Sequence, residues 1–391
     1  MPETTTTLSR TFEAFFNSEK SGAIVLIVGT LVALLVANSA AGPAWQAAWQ
    51  APLAGLTPQL WVNDLLMAVF FLFVGLELER EIYVGELSAP RKALLPIIAA
   101  IGGIAVPAAI HLFLNRGSET QAGAGIPMAT DIAFALGVLS LLGKRVPAAL
   151  KIFLTALAVI DDLCAMLVIA VFYTEKLQLA WLLGAVGVFV ALVLINRAGV
   201  RRLAPFLIGG AAMWFLCLRS GVHPTLAGVA LAFAIPFGKQ VDDLASPSYR
   251  LENTLHFPIA FLVLPLFALA NTGVAIAADW QGALLGSNSL GILAGLVLGK
   301  PLGIAGFSAL AVALGVCQRP DDLGWGHIIG AGLLGGIGFT MSIFIANLAF
   351  PHDAGLVDAS KTAVLLASLL AGVLGFVWLA VVPGPASGLR E

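Results

Sequence analysis

Apolar runs bounded by Gly, Pro or clustered charge recur along this chain from Gly22 to Val382. A helix that crosses the hydrocarbon core of a bilayer needs about 20 predominantly apolar residues. With that length and those boundaries the sequence divides into twelve segments, centred near residues 27, 72, 104, 134, 160, 187, 210, 230, 264, 300, 338 and 370. The runs near 210 and 230 are short for a full crossing. Backbone groups left unpaired in lipid are costly, so only helices or a closed barrel can span. The alternation of barrel strands is missing here, and an all-α integral membrane protein of about twelve transmembrane helices is the expected fold. One polytopic domain, 1–391, is expected.

Composition agrees. The chain is 59% hydrophobic and 11% charged with mean hydropathy +0.98, where a soluble domain carries about 25% charged residues. A net charge of -2 gives no basic field for nucleic acid. Cys164, Cys217 and Cys317 have no metal-ligand spacing, which argues against a zinc site or a disulfide framework. No cofactor is expected.

Arg10 and Lys20 ahead of the run Gly22 to Val36, with small residues at 38–41, imitate a secretory signal. The acidic residues Glu3, Glu13 and Glu19 and the many later spans favour a retained first helix instead. With the N-terminus inside, fifteen Lys and Arg residues fall on the inner side, from Arg10 and Lys20 through Lys239 to Arg390. Four (Arg116, Lys176, Arg219 and Lys361) fall outside, and Lys300 belongs to neither side. By the excess of basic residues on cytoplasmic connections, both termini are cytoplasmic. The outer connection, Ser39 to Leu60, carries Trp45, Trp49, three prolines and no charge. It is either an interfacial aromatic belt or a small hairpin that contacts a second subunit, giving a homodimer.

A charge at the centre of a membrane helix costs about 2.5 to 3.5 kcal/mol on insertion scales. The run LTALAVIDDLCAMLVIAVFY nevertheless places Asp161 and Asp162 mid-span, and LGILAGLVLGKPLGIAGF does the same with Lys300. A buried ion pair that cements two helices would account for one aspartate. Adjacent residues point about 100° apart on a helix, so the second carboxylate is left over. Such a carboxylate is stable when protonated or when it holds a cation, and alternation between those states is proton/cation exchange.

Two segments carry helix breakers at the same depth. GIPMATDIAFALG has Pro127, Thr130 and Asp131, the last readable as a simple cap, and GAGLLGGIGFTMSIFIA has Gly335, Gly336 and Gly338. Discontinuous helices of this kind expose half-helix ends to ions. Their placement suggests two three-helix units, about 93–173 and 288–382, facing each other as an inverted repeat. A selectivity filter of repeated carbonyl loops and the paired aspartates of an intramembrane protease are both missing.

At these residues the chain resembles the NhaA family of bacterial sodium/proton antiporters. The motifs that carry the resemblance are WVNDLLMAVFFLFVGLELERE, MATDIAFALGVLSLLG, LAVIDDL, SGVHPTLAGV, LGKPLGI and GGIGFTMSIFIANLAF. The resemblance implies crossed broken helices four and eleven, residence in the bacterial inner membrane, and exchange of cytoplasmic sodium or lithium for external protons. It implies Asp162 as the main sodium ligand, Asp161 as partner of Lys300 and a second ligand, and Thr130 as a polar contributor. Asp131 would compensate the half-helix ends, and Asp64 would lie near the outward end of helix two. Glu77, Arg80, Glu81, Glu252 and His256, which on the residues alone read as solvated loop charges, would form a cytoplasmic pH-responsive cluster. Asn253 stands where the best-known members have a second histidine, and Glu79 where the residue is often basic, so pH control is expected to differ from that of members with an intact histidine pair. His223, followed by Pro224, reads as a helix start or, by the resemblance, a sensor.

The mechanism expected is competition of sodium and protons for Asp161 and Asp162, electrogenic if more than one proton is exchanged per sodium, with Lys300 either carrying the extra proton by deprotonating or only neutralising Asp161.

Overall fold

The computed structural model describes residues 10–174, 177–238, 246–275 and 280–382. Lys176, Lys239 and Arg390, used above for orientation, lie outside the described residues. Among the described residues the secondary structure is helical, apart from an isolated bridge between Leu53 and Leu56.

Among the described residues, eight helices are long and apolar enough to cross a membrane, and three helix pairs pass the same test across a bend. The first pair, Ser21–Ala37 with Gly42–Gln50, turns back by 113°, so the second member lies across the end of the bundle and belongs to the outer connection. The other two are the interrupted segments: Glu119–Met128 with Ile132–Leu141, bent by 44°, and Trp325–Gly335 with Phe339–Ala349, bent by 45°. The remaining expected segment is Leu226–Ala234, nine residues, about 14 Å long at 1.5 Å per residue. That is too short to span alone. It is held by close backbone packing on Pro58–Tyr83, where a methyl on Gly228 would overlap the Ala68 carbonyl and one on Gly75 would press on the Ala232 methyl.

The breaks have local causes. Pro127 ends the tightly wound 3-10 segment Glu119–Met128, and Ala129 and Asp131 are extended. In the second pair, Gly336 and Gly338 flank the interruption. Three π-helical turns interrupt other spans at Trp61–Leu66, Ile259–Val263 and Gly295–Gly299. The last two immediately precede Pro265 and Pro301, whose rings would clash with the carbonyl four residues back in a regular helix. The wider turn relieves that clash.

Two bundles result. In one, Ala93–Leu114 and Ser287–Ala313 run antiparallel in direct backbone contact. The seam is a glycine every fourth residue: Gly291 against His111 and Asn115, Gly295 and Gly299 against Pro107, and Gly303 against Gly102. Small residues at this spacing let membrane helices approach closely. The broken pairs, Ala148–Phe172 and Ala354–Val381 complete this bundle. The other bundle has its own apolar core, with Leu72, Leu76, Leu192, Phe206, Met213 and Leu231.

In the outer connection, Trp61 donates from its indole to the Leu53 carbonyl at 2.9 Å. Trp45 packs beside Gly273 and edge-on to Trp49. Leu53 stays exposed.

Candidate functional site

Asp161 and Asp162 project from the middle of Ala148–Phe172 and are each 1% exposed; Lys300 is fully buried. The lysine follows the π turn Gly295–Gly299, which rotates it away from the glycine seam by a different angle than a regular helix would. Its ammonium reaches Asp161 Oδ2 at 2.5 Å. The Thr130 hydroxyl donates to the same oxygen at 2.7 Å and lies 2.8 Å from the Gly335 carbonyl. Asp161 Oδ1 and Asp162 Oδ1 have no hydrogen-bond partner among the described residues. The charged groups in electrostatic reach of Asp162 are Asp161, Asp131, Glu77 and Lys300. One ammonium therefore faces several carboxylates, and two buried carboxylate oxygens are left over.

The two breaks cross at this point. Asp131 Oδ1 accepts from the Phe134 amide at 3.0 Å and caps Ile132–Leu141. Its Oδ2 accepts from the Thr340 amide at 3.1 Å and the Thr340 hydroxyl at 2.5 Å, capping Phe339–Ala349. The Asp131 amide donates to the Ile337 carbonyl at 2.6 Å. One carboxylate thus meets the positive ends of two half-helices, each carrying about half an elementary charge. The negative end at Gly335 is met by the Thr130 hydroxyl. The simple cap expected from sequence is a double cap that locks the breaks together.

Asp64 sits in the first π turn, buried, with His223 Nε2 3.8 Å from its carboxylate. Trp214 donates from its indole to the Asp64 carbonyl at 3.1 Å. His223 also bonds Thr225 at 2.7 Å at the start of the short helix Leu226–Ala234. It is a helix-start residue that also faces a carboxylate.

Arg80 gathers three carboxylates, at 2.8 Å to Glu252, 3.2 Å to Glu81 and 3.9 Å to Glu77. Glu77 is buried, and Glu252 Oε2 has no partner among the described residues. His256 lies on the same side, edge-on to Phe73, and with Glu77 lines a cavity of about 50 Å³ beside Ile132 and Ala133. These residues are packed into helices, unlike solvated loop charges. Asn253 is exposed and bonds its own helix at the Tyr249 carbonyl, 3.1 Å. Glu79 is buried and accepts from the Ser248 hydroxyl at 3.1 Å.

Sequence reasoning missed Phe344, whose ring contacts Phe71, Phe267 and His223. It also missed the buried tie of His111, Asn288 and Ser360. Lys361, placed in a connection, lies inside Ala354–Val381 and is buried. Sequence reasoning missed the seam as well, although a glycine every fourth residue at 291, 295, 299 and 303 is a signal that could have found it.

The family described as Na+/H+ antiporter 1 matches residues 13–379. The chain belongs to this family. Relatives named Na(+)/H(+) antiporter NhaA agree over nearly the full length. One from Dechloromonas aromatica is 64% identical over 380 residues, 97% of this chain and 98% of that protein. One from Cytophaga hutchinsonii is 54% identical over 372 residues, 95% of each. One from Mesorhizobium japonicum is 51% identical over 387 residues, 97% of this chain and 96% of that protein. The chain is a multi-pass, all-α membrane protein of this antiporter family.

Proposed function

We propose that this antiporter exchanges cytoplasmic sodium, or lithium, for external protons by competition at Asp161 and Asp162. The observation that carries the reading is the pair of buried, unpartnered oxygens, Asp161 Oδ1 and Asp162 Oδ1, beside a single lysine. Hard cations take oxygen ligands. Asp162 is the principal ligand, with Asp161 and the Thr130 hydroxyl beside it. A carboxylate that has lost its proton in this setting gains a sodium ion, and one that regains the proton releases it. Occupancy by one excludes the other.

Thr130 supports the proton half of the cycle. Its hydroxyl has one proton and two acceptors, Asp161 Oδ2 and the Gly335 carbonyl. With Asp161 ionised the hydroxyl donates to the carboxylate; with Asp161 protonated it accepts and turns its own proton to Gly335. Protonation thus rearranges contacts across the crossed breaks.

Exchange of more than one proton per sodium makes the cycle electrogenic, and each net charge is driven by about 2.3 kcal/mol per 100 mV of potential. Asp131 and Asp64 support the site without binding the ion. The cluster of Glu77, Arg80, Glu81, Glu252 and His256 tunes access from the cytoplasm with pH. The units 93–173 and 288–382 are related as an inverted repeat, and the termini face the cytoplasm of a bacterial inner membrane. For the connection 39–60, an aromatic belt and a homodimer contact both fit. The oligomer distribution after deletion of 45–55 separates them.

The test is sodium-induced proton release from the purified protein. The wild type releases protons, and Asp162→Asn, still folded, releases none; normal release in that variant removes Asp162 from the site.

A further inference from the structure

One half-helix, Phe339–Ala349, touches both bundles and does so at the end that carries the connection 39–57. Its first turn is tied to the ion site, with Thr340 on Asp131 and the Ser342 hydroxyl on the Ile126 carbonyl at 2.6 Å. One turn on, Phe344 is buried. Its ring centroid lies 5.9 Å from Phe71, 6.3 Å from Phe267 and 5.1 Å from His223, which stand on Pro58–Tyr83, on Leu264–Asn271 and ahead of Leu226–Ala234, outside the glycine-seam bundle. In the last turn, Asn347 donates to Asn271 Oδ1 at 2.9 Å. Asn271 in turn donates to Asn63 at 2.7 Å and accepts from Gln59 at 3.4 Å.

The chemistry of these contacts differs from that inside the bundles. The glycine seam between Ala93–Leu114 and Ser287–Ala313 is backbone on backbone and cannot slide without overlap. At the closure, carboxamides satisfy one another around an aromatic ring. Each such hydrogen bond contributes about 1 kcal/mol net, and water replaces it readily when the surfaces part. Away from this closure, Glu77 and His256 face Ile132 and Ala133 across a cavity of about 50 Å³. The molecule is therefore closed at one end by contacts that separate at low cost.

We propose that Phe344 and Asn347 form the outer closure of the ion path: the Phe344 ring blocks it, and the Asn347–Asn271–Asn63 amides latch the two bundles. The same half-helix that Asp131 caps at the ion site carries both residues, so a change of occupant at the site is transmitted to the latch within three helical turns. These are positioning residues; neither binds the ion. The inference rests on the exchange reading above.

The test uses the full chain with Cys164, Cys217 and Cys317 replaced by alanine, carrying Asn271→Cys and Asn347→Cys, reconstituted in liposomes. A short bifunctional thiol reagent with a reducible linker joins the two positions. Exchange falls at least roughly tenfold on cross-linking, the loss expected when the open form is withheld, and returns when the linker is cleaved. Cross-linked protein that exchanges at its own rate before treatment overturns the proposal. Phe344→Ala is measured in parallel: an imposed pH gradient then collapses several-fold faster than in the wild type without sodium, whereas a variant as tight as the wild type with unimpaired exchange overturns the assignment of the ring. Failure of the exchange reading is distinguishable, because the wild-type chain would then show no exchange at all.

Discussion

Lys300 Nζ and Asp161 Oδ2, 139 residues apart in sequence, meet at 2.5 Å between two helices, and both side chains are fully buried. Removing one partner of such a pair strands the other, at about 3–5 kcal/mol. Lys300→Ala should lower thermal stability by that order, and Asp161→Asn added to it should recover part of the loss. Denaturation of the two single variants and the double variant in detergent measures this. Strictly additive losses would show that the two residues are not coupled.

Asp131 offers a different kind of test. Its carboxylate caps two half-helices, and each cap contributes about 1 kcal/mol. Asp131→Ala should lower stability by about 2 kcal/mol and weaken sodium binding, because Thr340 and Phe134 lose their acceptor. Asp131→Asn should retain part of both. Equal behaviour of the two variants would mean the carbonyl geometry is irrelevant at this position.

The breaks themselves were legible in the sequence, and their crossing was implied by the family resemblance. Pro127, Thr130, Asp131 and the glycines from 335 to 338 interrupt runs that are otherwise apolar, and a break in lipid must be compensated by something. Asp161, Asp162 and Lys300 were legible for the same reason: a charge in an apolar run is conspicuous. Phe344 was not, since an aromatic residue in a membrane helix is ordinary and only its placement among Phe71, Phe267 and His223 distinguishes it. Asn63, Asn271 and Asn347 were hidden likewise, because neutral amides distant in sequence have no signature until the fold brings them together. The seam of Gly291, Gly295, Gly299 and Gly303 went unread, because glycine spacing in a membrane helix does not say which helix it packs against.

That seam gives a prediction about packing alone. A methyl on Gly303 would overlap the Gly102 carbonyl, a backbone atom that cannot turn aside. Gly303→Ala should therefore cost about 1–3 kcal/mol, as overpacking does, and displace Lys300 on the same helix. Gly306→Ala, where no atom stands within 4 Å, should change stability little. Equal melting temperatures for the two variants would contradict the seam.

Thr130 is predicted to matter through its hydroxyl. Thr130→Val keeps the shape and removes the hydroxyl that links Asp161 to Gly335. Leaving buried acceptors without a donor costs about 1–3 kcal/mol. The apparent sodium affinity should fall roughly tenfold, at about 1.4 kcal/mol per decade, and Thr130→Ser should restore it. A valine variant with wild-type affinity would remove the hydroxyl from the site.

Competition between sodium and protons is the central claim, and its sign with pH follows directly. Protons occupy the carboxylates as pH falls, so the apparent affinity for sodium must fall with it, by up to about tenfold per pH unit for each competing proton. The decisive measurement is sodium/proton exchange in proteoliposomes across pH at several sodium concentrations, with and without a membrane potential. The account predicts that lowering the pH raises the sodium concentration for half-maximal exchange, that excess sodium recovers the rate, and that an inside-negative potential, with sodium inside, accelerates sodium efflux. A half-maximal sodium concentration that stays constant across pH would contradict it, as would an absence of exchange at every pH.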